Sequence, residues 1–360
     1  MISQATIEKV KSVACIEEVV GEFITLKQRG ENLISCCPFH AEEVPSFLVT
    51  PSKGIFYCTS CHRGGDSIRF VMEHEKCSQD EAIRWLAKKY NVYIEDSEDS
   101  ISSQEEMFRV SEFAQNFFVD YLWNDEMGQA VGLSYYRQRG LTDEIVKHFG
   151  LGYSPDQWTA LTDAAKQKGF SDASLSATGL TIVKEDGRYT DRFKGRVTFP
   201  IYNITGRVVG FSCRVLSKEQ SPAKYVNSIE CPIYTKGNIL YGIYQAKEKI
   251  REENKCYLVE GNLDVVSMHQ SGVENTVASC GTALTANQVR LISQFANNIT
   301  IVYDGDDAGI KATLKAANLC FEAGLKVRMV LFPDSEDPDS YAKKYGAEQL
   351  RQYLSEYEEN

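Results

Sequence analysis

Short apolar runs alternate with helical patterns in the last third of the chain. Three such runs, KCYLV, ITIVY and KVRMVLF, start at Lys255, Ile299 and Lys326. Helices are predicted over residues 264–271, 285–294 and 308–323, which lie between or after these runs. Buried strands that alternate with helices are typical of a mostly parallel sheet with helices on its faces. The pattern therefore predicts a Rossmann-like α/β domain.

The first two thirds of the chain mix helices with antiparallel strands. Helices are predicted over residues 3–14, 66–73, 79–90, 107–121 and 157–168, with two more between 130 and 152. Strands are predicted over residues 19–26 and 32–35, and in a hairpin that turns at residues 53–54. From Thr181 onwards two further β-hairpins are predicted, the second turning at residues 203–206. The predicted fold class is therefore a multidomain combination of α+β and α/β parts.

Composition limits the class of protein. The chain has 360 residues, of which 43% are hydrophobic, and a formal net charge of −11. It has no run of about 18 apolar residues and no apolar signal segment at its start, so we expect a cytoplasmic protein without a membrane partner. Its 11 cysteines are then expected to be metal ligands and buried thiols rather than disulfides. Net charge averages over domains, so a locally basic face for nucleic acid is compatible with it.

Two short-spaced ligand pairs lie at the ends of the first predicted hairpin. Cys37 and His40 form a C-x₂-H pair, and Cys58 and Cys61 form a C-x₂-C pair after 17 intervening residues. Three thiolates and one imidazole make a closed tetrahedral site, which is typical of structural rather than catalytic zinc. The spacing therefore predicts a zinc ribbon that holds one structural Zn²⁺.

Two further candidate ligands lie beside these pairs. Cys36 would break the C-x₂-H spacing and His62 directly follows Cys61, so we expect neither to bind zinc. The stretches CPFHAEEVPSF and YCTSCHRGGDSIRFVM resemble the zinc-binding domain of bacterial replicative primases of the DnaG type. That family usually has glycine after the last cysteine, where this chain has His62, and the departure affects only the local turn.

Acidic residues follow each predicted strand of the last third. They are Glu260 and Asp264 after the first run, Asp304 and Asp306 after the second, and Asp337 and Asp339 after the third. Parallel strands end at one edge of a sheet, where the ligands of such folds bind. Carboxylates that converge there need a cation, and a site made of oxygens suits Mg²⁺ or Mn²⁺. Solvated acidic loops are the alternative, which three clusters in register with strand ends disfavour.

Basic residues alternate with apolar ones along the later hairpins. Residues 187–218 contain a single acid, Asp191. They contain seven cations: Arg188, Arg192, Lys194, Arg196, Arg207, Arg214 and Lys218. Alternation predicts a row of cations on one sheet face, where they can neutralise the phosphates of nucleic acid. A solvated basic strand face is the alternative interpretation.

These segments extend the resemblance along the chain. RFKGRV, GRVVGFSCRVL, KYVNS and TKGNILYG resemble the N-terminal polymerase subdomain of the same primases, and E-G-x-x-D, D-G-D-x-A-G and D-P-D resemble a TOPRIM domain. The resemblance implies a basic ridge and nucleotide site formed by Arg139, Arg192, Arg196, Arg214, Lys224, Tyr225, Asn227 and Lys236. Ser212 and Cys213 stand where the family usually has a pair of glycines, and the loop between residues 214 and 224 is longer than usual.

Five segments are predicted on this basis. They are a zinc-ribbon DNA-binding domain (1–95), an acidic flexible linker (96–106), a mixed α+β basic subdomain of the polymerase core (107–250), a TOPRIM catalytic domain (251–340) and the start of a helical region (341–360). The linker is predicted because this stretch is acidic, rich in serine and free of apolar periodicity. Such primases usually continue with a helical bundle and a helicase-binding domain, which we expect this truncated or short chain to lack.

The resemblance implies an RNA primase, a nucleotidyltransferase that makes short RNA primers on single-stranded DNA. Up to two or three Mg²⁺ or Mn²⁺ ions are then expected at Glu260, Asp304 and Asp306, which are the expected catalytic residues together with Lys224. Lys224 and Lys236 are expected to contact triphosphate or template phosphates. Asp264, Asp337 and Asp339 would be further ligands or supporting acids. The expected partners are the DNA template, ribonucleoside triphosphates and the RNA primer–DNA hybrid, bound by a monomer. A replicative helicase is expected to bind only full-length family members.

Two other functions compete with this one. A TOPRIM topoisomerase or nuclease is disfavoured because a topoisomerase needs a nucleophilic tyrosine in a separate large domain, for which we expect no room after residue 340. A zinc-dependent DNA-binding protein without catalysis is disfavoured because clustered acids facing phosphates would not help it bind. A fusion to a helicase is not expected, since the chain contains no G-x-x-x-x-G-K-[ST] motif.

Overall fold

The computed structural model describes residues 2, 4–90, 92, 103–216, 224–281, 283–303, 307–333 and 336–358. It divides the chain into two units, residues 1–102 and 103–360. The predicted fold class, a small ribbon followed by mixed α+β and parallel-sheet parts, is confirmed. The finer division into five segments stays a prediction. No described helix combines the length and the apolar character that crossing a membrane requires.

The first unit pairs an antiparallel sheet with helices. The helices are α1 (Gln4–Val13), α2 (Ile16–Gly21), α3 (Ser67–Glu75) and α4 (Gln79–Lys89). The strands, in sheet order, are β1 (Lys27–Arg29), β2 (Asn32–Ser35), β3 (Phe47–Thr50), β4 (Ile55–Cys58) and β5 (Gly64–Gly65). Strands β3 and β4 form the predicted hairpin. Gly54 makes its turn at a φ of +63°, a conformation that glycine adopts without strain.

Three phenylalanines fix the hairpin against α3. The ring centroids of Phe47 and Phe56, on the paired strands, lie 5.2 Å apart, and Phe70 of α3 packs edge-on against both. All three side chains are buried. Aromatic packing of this kind contributes beyond the apolar area that it buries. The hairpin ends, where the predicted zinc ligands lie, are therefore attached to a rigid core.

The second unit begins with helices packed on an antiparallel sheet. The helices are α5 (Ser103–Asn124), α6 (Ser134–Gln138), α7 (Asp143–His148), α8 (Ala160–Gln167) and α9 (Asp172–Ala177), and a π-helical segment, Gly128–Leu133, precedes α6. The strands are β6 (Gly152–Tyr153), β7 (Thr181–Val183), β8 (Tyr189–Asp191), β9 (Arg196–Tyr202), β10 (Val208–Val215) and β11 (Tyr225–Asn227). Strands β7 and β8 pair separately, and the sheet order of the others is β11-β10-β9-β6. Both predicted hairpins of this region are confirmed.

The second unit ends with the predicted parallel sheet. Its strands are β12 (Leu240–Tyr241), β13 (Lys255–Val259), β14 (Thr276–Ser279), β15 (Asn298–Tyr303) and β16 (Lys326–Leu331), in the order β12-β14-β13-β15-β16. The helices are α10 (Ile243–Glu253), α11 (Asn262–Gln270), α12 (Ala286–Ser293), α13 (Asp307–Glu322), α14 (Pro338–Tyr345) and α15 (Ala347–Glu356). All strand pairs are parallel except β12 with β14. Strands β13, β15 and β16 are the three predicted runs, so the residues that follow them lie at one edge of the sheet.

Two predictions for local structure are wrong. Residues 19–26 are not a strand, because Ile16, Val19 and Val20 are buried at helical spacing in α2. The acidic linker does not extend over residues 103–106, which belong to α5. Two oxygens of Glu105 accept hydrogen bonds from Arg207 at 2.8 and 2.9 Å, so this acid is part of a folded unit. Residues 96–102 of the predicted linker lie outside the described residues.

Candidate functional site

The four predicted zinc ligands come together at the end of the ribbon. The ligand atoms of Cys37, His40, Cys58 and Cys61 all lie within 4.8 Å of one another. The Sγ atoms of Cys37 and Cys61 are 3.9 Å apart. A tetrahedral zinc site with Zn–S bonds of about 2.3 Å separates its sulfurs by about 3.8 Å, so this spacing fits Zn²⁺. Burial raises the pKa of the Cys37 thiol to about 12, and a thiolate there needs a cation beside it.

Glu42 holds this cluster in shape. One of its oxygens accepts hydrogen bonds from the amides of Cys37 (2.7 Å) and Ser46 (3.0 Å), and the other accepts from Ser46 Oγ (2.5 Å). The hydrogen bonds from Ser46 and Cys37 lower the pKa of Glu42 to about 2. The resulting carboxylate lies 3.0 Å from His40 Nε2, which donates to it. His40 Nδ1 is buried and has no hydrogen-bond partner among the described residues, as expected of a metal ligand.

The two neighbouring candidates take no part in this cluster. Cys36 is exposed, and His62 Nδ1 lies 2.9 Å from the Tyr57 hydroxyl. The backbone of His62 has a φ of +59°, in the left-handed region that favours glycine. The family's usual glycine at this turn therefore has a conformational reason.

The carboxyl ends of the parallel strands carry the predicted acids. Glu260 directly follows β13, and Asp264 lies in the first turn of α11, where its Oδ2 accepts from the Gly261 amide at 2.9 Å. Burial, and then the charge of Glu260, raise the pKa of Tyr303, the last residue of β15. Glu260 therefore lies close to the neighbouring strand end. Asp304 and Asp306, which follow that strand, lie outside the described residues.

Asp339 is bound by the protein itself. Its side chain is buried, and its oxygens accept from Ser267 Oγ at 2.5 Å and from Arg139 Nη1 at 3.1 Å. Its amide nitrogen lies 3.4 Å from Asp264 Oδ1, so α14 meets α11 at this edge. Together, the acids that follow the three strands in the sequence are called the acidic edge: Glu260, Asp264, Asp304, Asp306, Asp337 and Asp339. Arg139, predicted to line the basic ridge, therefore also neutralises one acid of this edge.

Asp337 has a structural role at the start of α14. Its Oδ1 accepts a hydrogen bond from the Ser340 amide at 2.6 Å and caps the helix. Within the described residues, the Cys/His cluster is the only group that brings three or more metal-ligating side chains together. The acidic edge offers only oxygen donors, and that chemistry suits Mg²⁺ or Mn²⁺ rather than zinc.

Three predicted arginines lack a carboxylate partner in the part of the chain that the structure describes: Arg196 and Arg214 of the antiparallel sheet, and Arg192 in the segment just before β9. Arg192 Nε donates to the carbonyl of Asn227 at 3.3 Å, and Arg196 Nη1 donates to the carbonyl of Lys194 at 3.0 Å. The Nε atoms of Arg196 and Arg214 are buried without a hydrogen-bond partner. Burial and the neighbouring charge of Arg196 lower the pKa of Arg192. Guanidinium groups left without acids suit phosphate oxygens as ligands.

Other cations of the same segment are neutralised. The ion pairs are Arg188 with Asp186, Lys194 with Asp156, and Arg207 with Glu105 and Glu112. Lys218 lies outside the described residues. The row of cations on one sheet face stays a prediction, and three of its seven members, Arg188, Lys194 and Arg207, already have acid partners.

The remaining predicted residues lie around β11. Tyr225 pairs with Arg214 across β10 and β11, and the Arg214 guanidinium carbon is 5.8 Å from the Tyr225 ring centroid. Lys224 is exposed just before this strand. Asn227 Nδ2 donates to the carbonyl of Cys280 at 3.3 Å, which joins β11 to the loop after β14. Lys236 begins a 3₁₀ turn, Lys236–Asn238.

Sequence reasoning missed three residues that hold these groups in place. Glu42 organises the zinc cluster, Ser267 donates to Asp339, and Tyr135 accepts a hydrogen bond from Arg214 Nη1. Of the three, only Glu42 has a signal in the sequence, because it lies two residues after the predicted zinc ligand His40. Ser267 and Tyr135 act on residues far away in the sequence, and no local pattern marks them.

Comparisons with known families cover most of the chain. Residues 2–102 match the CHC2 zinc finger, residues 117–247 match the N-terminal domain of the DNA primase catalytic core, and residues 257–342 match a Toprim-like family. The CHC2 match and the Cys/His cluster together support a structural zinc.

Relatives and solved structures agree with these matches. A DNA primase from Halalkalibacterium halodurans is 40% identical over 97% of this chain, and the chain spans 59% of that relative's length. The crystal structure of the zinc-binding and RNA polymerase domains of the Aquifex aeolicus primase matches at 36% identity and a TM-score of 0.69, over 97% of this chain and 85% of that one. A DnaG primase catalytic domain bound to single-stranded DNA matches at 34% identity and a TM-score of 0.64, over 70% of this chain and 81% of that one.

Proposed function

This chain belongs to the family of bacterial DNA primases, and we propose that it synthesises short RNA primers on single-stranded DNA from ribonucleoside triphosphates. In each step the 3′-hydroxyl of one nucleotide attacks the α-phosphorus of the next, and pyrophosphate leaves. The partners are the DNA template, the nucleotides and the RNA primer–DNA hybrid. In this proposal the chain works as a monomer in the cytoplasm.

One observation carries the proposal: arginines without acid partners and a set of acids border the same space in the second unit. Arg139 connects the two groups through its 3.1 Å contact with Asp339. Tyr225 keeps 37% of its surface exposed, and the burial of the rest raises its pKa to about 12. The charge of Arg214 lowers this pKa and the charge of Asp264 raises it, so both groups lie near the ring. A nucleic-acid backbone on the sheet would thus bring its phosphates next to the acidic edge. Only a reaction at phosphate, rather than binding alone, gives that edge a use.

The residues of this space have separate tasks in the proposal. Arg192, Arg196 and Arg214 hold template phosphates, while Lys224 and Lys236 contact the triphosphate, assisted by Tyr225, Asn227 and Arg139 beside them. Glu260, Asp304 and Asp306 hold the metal ions, with Asp264, Asp337 and Asp339 nearby as further ligands or supports. Bound Mg²⁺ or Mn²⁺ supplies charge stabilisation on the reacting phosphates and a more acidic 3′-hydroxyl. The protein's own contribution is to position both nucleotides and to exclude other geometries.

We propose further that Cys37, His40, Cys58 and Cys61 bind one structural Zn²⁺. The 3.9 Å sulfur separation and the buried, unpartnered His40 Nδ1 support this ligand set. A closed site of this kind leaves no position for substrate, so zinc stabilises the ribbon rather than taking part in the reaction.

The test is a synthesis assay with the full chain. Single-stranded DNA, Mg²⁺ and labelled ribonucleotides should give short products that alkali degrades, and omission of DNA, Mg²⁺ or ribonucleotides should abolish them. Supercoiled plasmid incubated in parallel should be neither relaxed nor cut. Relaxation or cleavage without RNA synthesis would favour the topoisomerase or nuclease interpretation, and the absence of any reaction would leave DNA binding as the function.

A further inference from the structure

Tyr135 lies where the basic sheet meets the acidic edge. It is the second residue of α6, and its hydroxyl accepts a hydrogen bond from Arg214 Nη1. The guanidinium carbons of Arg214 and Arg139 lie 5.2 and 5.8 Å from the centre of its ring. Arg139 continues the chain of contacts to Asp339 at 3.1 Å. One tyrosine thus contacts an arginine from each of the two groups.

The two arginines depend on Tyr135 to different degrees. Arg139 has a carboxylate partner in Asp339, which fixes its position. Within the described part of the chain Arg214 has no such partner, and its Nε is buried without a hydrogen bond. The rings of Tyr135 and Tyr225 and the Tyr135 hydroxyl are what hold the Arg214 guanidinium. Neutral partners of this kind orient a cation without cancelling its charge.

We propose that Tyr135 is a positioning residue that holds the Arg214 guanidinium ready for a phosphate group of the substrate. The inference rests on the proposed function and adds to it a residue that does not itself contact the ligand. The phosphate could belong to the template backbone or to the incoming triphosphate. Both offer the same oxygens to Arg214, and the experiment below separates them.

The hydroxyl stays a neutral acceptor under assay conditions. Burial raises the pKa of Tyr135, and the charges of Arg214 and Arg139 offset only part of that rise. The phenol therefore keeps its proton at neutral pH and offers its oxygen lone pairs to the arginines. Substitution by phenylalanine removes these lone pairs and retains the ring that both cations flank.

The test is a double-mutant cycle with Tyr135→Phe and Arg214→Ala in the full chain. Affinity for a single-stranded oligonucleotide is measured by anisotropy without nucleotides, and the KM for ATP is measured separately in primer synthesis. Tyr135→Phe should weaken one of these by about 3- to 10-fold, the net value of one typical hydrogen bond. In the Arg214→Ala background the same substitution should change it by less than about twofold, because coupled residues are not additive. Loss of oligonucleotide affinity would assign the contact to template, and a raised KM at unchanged kcat would assign it to triphosphate.

Tyr136→Phe is the matched control. The hydroxyl of Tyr136 is buried and lies 3.0 and 3.1 Å from the carbonyls of Gly152 and Thr198, so its loss should lower the melting temperature. Tyr136→Phe should change the affinity for the oligonucleotide by the same factor in the wild-type and in the Arg214→Ala background. Full additivity of Tyr135→Phe with Arg214→Ala, or no effect of Tyr135→Phe on either ligand, would overturn the proposal. So would a fall in melting temperature that accounts for the whole loss of affinity.

Failure of the proposed function gives a different result. If the wild-type chain binds the oligonucleotide but makes no RNA, primer synthesis is wrong, and the binding arm of the cycle still tests Tyr135. If the wild-type chain binds neither the oligonucleotide nor MgATP, the assignment of Tyr135 to a phosphate ligand is wrong as well.

Discussion

The Cys/His cluster and the acidic edge are both predicted metal sites, but the protein itself provides partners for their side chains to different extents. The cluster draws its ligands from residues 37–61, and His40 Nδ1 has no partner among the described residues. The acidic edge draws on residues 260–339, and its acid Asp339 is held by Arg139 and Ser267. A site that only a metal completes should depend on that metal for folding. An edge that the protein itself partly neutralises should keep its fold without metal and lose only chemistry.

The largest effect is expected at the cluster. Cys58→Ser should lose zinc and unfold residues near 30–70, because structural zinc contributes roughly 10–16 kcal/mol to small metal domains. Metal analysis and thermal unfolding of the full chain measure both consequences. Cys36→Ser is the control and should retain about one zinc per chain. Zinc retained by Cys58→Ser, or lost from Cys36→Ser, would show that the ligand set is wrong.

The acidic edge should respond in the opposite way. Glu260→Gln or Asp304→Asn should lower primer synthesis by about a thousandfold or more, the scale of lost charge stabilisation at a reacting centre. The melting temperature should stay the same or rise slightly, since one negative charge fewer reduces repulsion at the edge. DNA affinity should persist through the arginines of the sheet. Normal synthesis by Asp304→Asn would show that the metal assignment is wrong. Unfolding of either variant would indicate that these acids have a structural role.

Glu322→Gln supplies the matched control for these variants. Glu322 is an exposed acid at the end of α13 in the same part of the second unit. It should leave synthesis, melting temperature and DNA affinity unchanged. A loss of synthesis here as large as in Glu260→Gln would mean that the assay reports general charge rather than the site.

Asp339 should behave as an exception within the acidic edge. Asp339→Asn weakens a buried, charge-assisted contact with Arg139, so we expect a loss of about 1.5–3 kcal/mol in the free energy of unfolding. Asp337→Asn is the control, because asparagine caps a helix about as well as aspartate does. Denaturant unfolding of both variants measures the difference. Equal stabilities would remove Asp339 from the set of acids neutralised by the protein.

The smallest effects concern the arginines of the sheet. Arg192→Ala, Arg196→Ala and Arg214→Ala should each weaken single-stranded DNA binding with little sequence dependence and reduce the salt slope by about 0.7. Arg188→Ala removes a cation that Asp186 already neutralises, and its slope should equal that of the wild type. Binding measured from low to moderate salt gives all four slopes. Four identical slopes would place these arginines away from the DNA.

The sequence predicted those features that depend on nearby residues. The ligand spacing of the cluster, the hairpins and the three main parallel strands all have local patterns. The sequence pattern does not predict the short strands β12 and β14, because two and four residues are too few to show a periodicity. The strand predicted at residues 19–26 is wrong because a short run of β-branched residues fits either a strand or a helix. In α2 these residues are buried at helical spacing.

Ion pairs between distant residues could not be predicted. The sequence alone indicates linker charge at Glu105 and a phosphate ligand at Arg207, yet the two side chains form an ion pair. The same holds for Arg139 and Asp339. A count of charges along the sequence gives the number of cations, and only the fold shows which of them remain without an acid.

The contact between Arg139 and Asp339 spans 200 residues, and it has a consequence for folding during synthesis. Ribosomes add about 5–20 residues per second, so roughly 10–40 s separate the appearance of these two side chains. The first unit contains its own hairpins and core, and it can fold while the rest is still being made. The second unit cannot complete its core until the later strands follow, because residues of β9 share that core with Tyr257 and Val259 of β13. During that interval the chain already contains Arg192, Arg196 and Arg214 but does not yet contain the acids at residues 260–339.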